Sequence, residues 1–295
     1  MRFDLTDLRV FLFACESGSM TAAATRAHLT LAAVSARIRA MEESAGTPLL
    51  ERRARGVTAT PAGEALARHA RVVMHQLEEL RQDVAGHTGG ESARTVLLAN
   101  SSAMARPIHG IIADVLDAHP GARLVARECE SEATVHALRT GDADVGIVSS
   151  AVDTEGLVTA QLGPDPLVVI VASTHPLASR ATVSFADAIA FDWIGWGDGR
   201  ALHTHLAMRA QRAGGVLKTT ASVPSAEGVI ELVARGQGVS VLPREMLRHH
   251  VTPGQLRVLA LDDAWAGRTL LVCRTPGNTS PLPLALHQAF ASHWP

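Results

Sequence analysis

The sequence predicts a mixed α+β chain in three stretches: a small helical unit closed by a β-hairpin, one long helix, and a larger part in which strands and helices alternate. Three observations carry this. Apolar residues recur at spacings of three and four through the first helical segments, a six-position apolar repeat runs from Leu66 to Val84, and strand-like runs alternate with amphipathic segments from residue 94 onward. At 295 residues the chain is long enough for two or three compact units with separate cores.

In the first stretch Leu5, Leu8, Leu12 and Cys15 define one apolar helical face, and Gly18 ends the pattern. Ser19 is placed to cap a short Ala-rich helix, Thr21 to Ala27, and Thr30 to cap a third helix, Leu31 to about Glu43. Two helices joined by about three residues form a helix-turn-helix. On the third helix Val34, Ile38 and Met41 share the stripe expected to face the core. The opposite side presents Ala32, Ala33, Ala36 and Arg39, flanked by Ser35 and Arg37. A face of small residues fits closely into a DNA major groove, and the hydroxyl and guanidinium groups supply donors for phosphates and base edges. An ordinary three-helix bundle with a solvated polar face has the same periodicity. The segment Leu49 to Thr60 reads as a hairpin with Arg52, Arg53 and Arg55 at its tip and Gly56 in the turn. Such a tip lies beside the sugar-phosphate backbone and fixes register.

Charge supports that placement. Residues 26–71 hold eight arginines against four acids, whereas residues 91–295 hold 16 basic against 19 acidic side chains. No run of about 18 uninterrupted apolar residues spans a bilayer, and Asp4, Asp7 and Glu16 surround the N-terminal apolar patch, which argues against a secretory leader. Cys15, Cys129 and Cys273 are odd in number and lack metal-ligand spacing, so they read as reduced, mostly buried thiols in a cytoplasmic protein with no membrane partner. No nucleophile elbow, nucleotide-binding glycine fingerprint or zinc-protease signature is present, and the chain is read as non-catalytic, without cofactor or metal. The pairs His203/His205 and His249/His250 lack a third ligand at suitable spacing and are expected at the surface.

Four linked blocks carry a family resemblance. Gly18-Ser19-Met20-Thr21-Ala22-Ala23-Ala24, Leu29 to Ser35 with Ile38 to Glu42, Gly46-Thr47-Pro48-Leu49-Leu50-Glu51-Arg52, and Thr60-Pro61-Ala62-Gly63 follow, in order and spacing, the N-terminal region of LysR-type transcriptional regulators. The resemblance implies double-stranded DNA as partner, bound through Thr30, Leu31, Ala32, Ser35, Arg37, Arg39, Arg52, Arg53 and Arg55. A Gln-Pro pair is common at the start of the recognition helix in that family, and Leu31 and Ala32 stand there instead. Base readout by a glutamine at that place is lost, and preference rests on other contacts or on DNA shape.

From Thr60, an N-cap followed by Pro61 at the first helical position, a long helix is expected. Leu66, Ala70, Val73, Leu77, Leu80 and Val84 form a heptad seam suited to pairing with a second copy. One amphipathic helix packed on its own domain has the same pattern. In the family resembled, the corresponding helix dimerises, and dimers of dimers are usual, so a homodimer and a homotetramer are expected. Residues 87–93 read as a hinge.

Beyond it the expected strands are Thr95–Ala99, Arg123–Cys129, Asp144–Val148, Leu167–Ala172, Val239–Leu242 and Thr269–Cys273. The expected helices are Met104–Ala118, Ser131–Arg139, Leu202–Arg212, Ala226–Ala234 and Leu282–His293. This alternation implies a parallel-rich α/β sheet. It also resembles the two-lobed α/β effector domain of the same family, similar to periplasmic solute-binding folds. Ligands in such sheets sit at the carboxyl ends of strands, near helix N-termini. Those places hold Asn100, Ser101, Ser102, Ser149, Ser150, Gly197, Arg200, Pro224 and Ser225, a set suited to a small polar or anionic effector, although any one serine could simply cap its helix.

The organisation expected is therefore a winged helix-turn-helix over residues 1–60, a dimerising helix over 61–86, a hinge over 87–93 and an effector-binding domain over 94–295. Lobe I takes 94–162 and 267–295, and lobe II takes 163–266. The function implied is sequence-specific transcriptional regulation in response to a small molecule, with RNA polymerase as a further partner. The alternative is a non-catalytic small-molecule or metal-binding protein built on the two lobes.

Overall fold

The computed structural model describes residues 3–53, 56–87, 94–197, 200–248 and 254–295. Helix α1 (Leu5–Ser17) opens on a capping box in which the Asp4 carboxylate accepts the N–H of Asp7 and the Asp7 carboxylate accepts that of Asp4. It ends at Gly18 in the left-handed region, φ 61°. Its buried stripe is Val10, Phe11, Leu12 and Ala14. The expected stripe is corrected: Leu12 belongs to it, but Leu5 is 41% exposed and Leu8 and Cys15 are only half-buried. Two overlapping apolar stripes satisfy the same spacing, and the neighbouring helices cover the one that runs through Phe11.

Helix α2 (Met20–Ala27) is capped by Ser19, whose hydroxyl accepts the N–H of Ala22. His28 takes the left-handed turn at φ 53°. Thr30 caps α3 (Leu31–Ala45) by accepting the N–H of Ala33, and Val34, Ile38 and Met41 are buried as their period requires. The Glu42 carboxylate then accepts the N–H groups of Leu49 and Leu50, fixing where the antiparallel hairpin of β1 (Leu50–Arg53) and β2 (Gly56–Ala59) leaves the helical unit. Thr60 receives the N–H of Gly63 and donates to the carbonyl of Pro48, setting the start of α4 (Pro61–His87).

The apolar repeat on α4 divides. Ala67 and Ala70, with Leu66 and Met74 beside them, pack into the same core as α1. Packing on its own domain therefore holds for the first turns. Val73 and Leu80 remain 43% and 58% exposed, with Val72 at 50%, and the side chain of Val84 lies outside the described residues. Gln76 on α4 donates to the carbonyl of Gly277 at 3.0 Å, joining the long helix to the C-terminal part of the chain.

That part comprises β3 (Arg94–Ala99), α5 (Ser101–Met104), α6 (Ile108–Asp117), β4 (Arg123–Glu128), α7 (Ser131–Thr140), β5 (Val145–Ser149) and β6 (Val158–Pro164). It continues through β7 (Leu167–Ala172), β8 (Thr182–Val183), α8 (Phe185–Ala188), β9 (Asp192–Trp196), α9 (Ala201–Arg212) and β10 (Lys218–Val223). Last come α10 (Ala226–Ala234), β11 (Ser240–Pro243), β12 (Leu256–Leu261), β13 (Thr269–Arg274) and α11 (Pro281–His293). The single helix expected over Met104–Ala118 is two, because Pro107 lacks an N–H and restricts Arg106 before it; α6 restarts from Pro107.

Two principal sheets result. One has the order β4-β3-β5-β13-β6, with β3 parallel to β4 and β5, and β13 antiparallel to both its neighbours. The other has the order β11-β7-β12-β8, in which β7 runs antiparallel to β11 and β12. A parallel-rich sheet is thus found in the first and not in the second. Strand alternation builds a core on each face: Leu97, Ala99, Val145 and Ile147 enter one cluster, and Leu98 and Val148 another. In the second sheet Leu167, Val169 and Val171 face one cluster and Val168 and Ile170 the other.

The chain passes between these sheets twice, and both crossings are tied together. The N–H of Asp165 donates to the carbonyl of Arg268 at 2.8 Å, and the Arg268 guanidinium pairs with the Asp165 carboxylate at 2.5 Å. Burial pushes that carboxyl up and that guanidinium down, against their mutual attraction. Arg106, after α5, pairs with Glu245 of the other lobe at 3.3 Å, both side chains largely buried.

Candidate nucleic-acid interface and ligand cleft

The outer face of α3 carries most of the expected DNA-binding residues. Thr30, Leu31, Ala32, Ala36 and Arg39 are exposed, Leu31 at 47%, while Ala33 and Ser35 are half-buried on the flank. This leaves a shallow surface on which, among the described residues of α3, Arg39 is the exposed cation with no carboxylate partner, a geometry that lets the helix backbone approach a groove floor. Arg37 behaves otherwise. Its guanidinium pairs with Asp7 at 2.6 Å and Asp4 at 3.3 Å, so it ties α3 to the start of α1. Two carboxylates brought next to it by the capping box thus take the donors of one guanidinium nitrogen of this expected DNA-binding residue.

At the hairpin, Arg53 pairs with Glu51 at 2.8 Å while staying largely exposed. Exposed ion pairs of this kind contribute about 0–1 kcal/mol and yield readily to a phosphate. The side chain of Arg52 and the whole of Arg55 lie outside the described residues.

A cavity of about 450 Å³ opens between the two sheets. From the first sheet come Asn100, Ser101 and Ser102 after β3, Glu130, Ser131 and Glu132 at the start of α7, and Ser149 at the end of β5. From the other lobe come Trp196 at the end of β9, which pairs in parallel with β10, Arg200 before α9, His205 and Met208 on α9, and Trp265, with Arg268 at the crossing. Asn100 caps α5 by accepting the N–H of Ala103, and the Ser131 hydroxyl accepts the N–H of Ser149, so strand ends and helix starts are pinned together.

Asn100, Ser101, Ser102, Ser149 and Arg200 are thus brought together. Ser150, Gly197, Pro224 and Ser225 do not line the cavity. The hydroxyl of Ser150 accepts the N–H of Thr269, and that of Ser225 caps α10 through Gly228, so each satisfies its own backbone. Gly197 turns at φ 67° behind Arg200. Asp198 and Gly199, between Gly197 and Arg200, lie outside the described residues.

Sequence reading missed Trp196, Trp265, Glu130, Glu132, His205 and Arg268. Trp196 ends a strand, and the strand-end rule would have found it had Asp192–Trp196 been read as one. His205 corrects the surface expectation: it is half-buried, its ring 5.1 Å from that of Trp265, and burial lowers its pKa, with Arg209 adding to the effect. His249 and His250 lie outside the described residues. Among the cysteines, Cys273 is buried and Cys15 and Cys129 half-buried; burial pushes the thiols of Cys15 and Cys273 up to about 11 and about 12.

Arg200 spans the cleft. Its guanidinium lies 4.3 Å from the centre of the Trp196 ring. It donates to the Ser101 hydroxyl at 3.1 Å and meets Glu128 and Glu130 at 3.5 Å each.

A small-residue recognition helix, a wing, a partly exposed long helix and a polar interlobe cavity together define a DNA-binding protein joined to a ligand-binding unit. Comparison with known proteins names the family. The model of the bacterial regulatory helix-turn-helix protein, lysR family, matches residues 5–64, and that of the LysR substrate binding domain matches residues 88–295. The chain belongs to the LysR family of transcriptional regulators.

It is 23% identical over 269 residues to the HTH-type transcriptional regulator CysL of Bacillus subtilis (strain 168), covering 91% of this chain and 90% of that protein. It is 26% identical over 255 residues to the RuBisCO operon transcriptional regulator of Acidithiobacillus ferrooxidans, covering 86% and 82%. Among solved structures it is similar in fold to a full-length OxyR variant from Pseudomonas aeruginosa, with a TM-score of 0.61, 22% identity and coverage of 98% and 95%. Full-length BenM gives 0.57 at 22% identity, covering 98% and 96%. The protein is a DNA-binding transcriptional regulator with a small-molecule effector domain. The match of both family models to one chain sets aside a protein built on the two lobes alone. Among the described residues no helix is long and apolar enough to cross a membrane.

Proposed function

We propose that this regulator reads DNA through α3, with Ser35 and Arg39 as polar contacts and Leu31, Ala32 and Ala36 as the surface closing on the groove, while Arg52, Arg53 and Arg55 hold the flanking backbone. The observation that carries this is the division of α3 itself: Val34, Ile38 and Met41 are buried while Leu31, Ala32, Ala36 and Arg39 are exposed. Residues 1–60 form the DNA-binding unit, 61–86 the dimerising helix and 94–295 the effector domain, with lobes 94–162 plus 267–295 and 163–266; of the hinge expected over 87–93, His87 still belongs to α4 and 88–93 lie outside the described residues. Two copies pair through the exposed positions of α4, which places two recognition helices on one duplex and favours a two-fold related operator. Pairs of dimers form tetramers, RNA polymerase is the partner in transcription, and the protein works in the cytoplasm without catalysis of its own.

The interlobe cavity takes a small polar effector, held by the hydroxyls of Ser101 and Ser102 and by groups at the starts of α7 and α9, against the faces of Trp196 and Trp265. Selection of bound fragments from genomic DNA, followed by gel shifts of the selected site over a salt series, tests the assignment. A specific site whose affinity falls steeply with salt is expected; equal affinity for every fragment would overturn it.

A further inference from the structure

We propose that the cleft contains a cation-binding cage which the chain's own Arg200 fills, and that the effector carries a guanidinium or ammonium group that takes Arg200's place. The inference rests on the reading of the cleft as the effector site. The cage has an aromatic face, two carboxylates and a hydroxyl: the Trp196 ring lies under the guanidinium, Glu128 and Glu130 stand at its edge, and Ser101 joins them by donating to Glu128 at 2.5 Å. An aromatic face with carboxylates at the rim is the environment that recognises organic cations.

Arg200 fits this cage imperfectly. Both carboxylate contacts are 3.5 Å, whereas charge-assisted N–H to carboxylate bonds settle at about 2.7–2.9 Å. Its reach is set by its backbone, since its side-chain carbons fold back against the Gly197 turn. A cation not tethered there can close on both carboxylates while keeping the ring contact, and the adjoining cavity of about 450 Å³ has room for the rest of such a molecule. The charges around the cavity point the same way. Glu130 and Glu132 line it, and its two arginines are engaged, Arg200 in the cage and Arg268 with Asp165. An anionic ligand would meet two carboxylates with neither guanidinium free. Displacing Arg200 also removes a tie between the start of α9 and the opposite lobe, which gives the ligand a means of changing the separation of the two lobes.

The test is calorimetric titration of the full-length protein with methylguanidinium and with agmatine, and in parallel with acetate and benzoate. In Arg200→Ala, and in Arg200→Gln as a second variant that keeps bulk, the cage loses its internal occupant, so guanidinium affinity rises by about tenfold or more over the wild type. Adding Glu130→Gln abolishes the gain. No gain in either folded variant, or carboxylate binding that is present in the wild type and lost in Arg200→Ala, overturns the proposal. Ala133→Trp fills the cavity while leaving every cage residue in place and separates the two readings. If the cage fails but some compound from a panel of amines, carboxylates and sugars binds the wild type and not Ala133→Trp, the cleft is still the effector site. If nothing in the panel depends on Ala133, the cleft reading fails as well.

Discussion

The N–H of Val57 donates to the carbonyl of Gly18 at 2.9 Å, so the wing hangs from the turn between α1 and α2. Gly56, beside it, sits at φ 100°, and a Cβ there would lie 2.1 Å from that same carbonyl oxygen. Gly56→Ala must break the approach or strain it, costing roughly 1–3 kcal/mol and weakening DNA binding. Gly46→Ala, left-handed but in open space, should cost only about 1 kcal/mol and leave DNA affinity unchanged. Thermal unfolding and gel shifts of both variants check the contrast.

Arg37 and Arg39 are two residues apart and should behave oppositely. Arg39→Ala lowers operator affinity and alters sequence preference with unfolding unchanged. Arg37→Ala instead loosens α3 from α1, lowering stability by about 0.5 kcal/mol, since the pair is only partly buried. Arg53→Ala lowers affinity for every sequence alike and reduces the salt slope by about one phosphate contact.

Val73 and Leu80 stay exposed on α4 although they continue the repeat that Ala70 buries. Val73→Glu with Leu80→Glu should place like charges in the seam between two copies and give a monomer that has lost specific DNA binding. Sedimentation equilibrium reads the outcome directly; an intact dimer would move the interface elsewhere.

His175, His205 and His287 all have pKa values below the ordinary imidazole value because burial penalises the charged ring. The unfolded chain then binds protons more readily than the folded one, so stability is present above the ordinary value and lost as pH falls through it. The unfolding temperature should decline between about pH 7 and 5, and His205→Gln should flatten that decline. Asp4 acts in a lower window: the donated N–H of Asp7, aided by Arg37, holds its carboxyl below the usual range, and its contribution goes only under about pH 4.

Much of the N-terminal unit was legible because capping is local. Ser19 and Thr30 announce their helices through one side chain and a backbone N–H three residues on, and the Val34-Ile38-Met41 stripe needs no knowledge of its partner. The C-terminal part was legible where strands are fully apolar, as in Leu167–Ala172, and not where polar residues or glycines interrupt the run, as in Val158–Pro164, Asp192–Trp196 and Lys218–Val223. The cleft divides on the same principle. Asn100, Ser101, Ser102 and Ser149 follow from strand ends, whereas the company that Glu130, Trp196 and Arg200 keep depends on how two sheets meet, which no local pattern encodes. Arg37 shows the converse: its spacing places it on the flank of α3, and its contact with Asp7, 30 residues away, is one that no local pattern announces.

Ala36 lies exposed at the centre of the α3 face, where a glutamate keeps the helix but puts bulk and negative charge where a groove floor would lie. Footprinting of the selected operator with wild-type protein and Ala36→Glu, matched for unfolding temperature, tests the account most directly. Protection by the wild type and none by the folded variant is the expected result. Equal protection by both at the same protein concentration would show that α3 does not read this DNA.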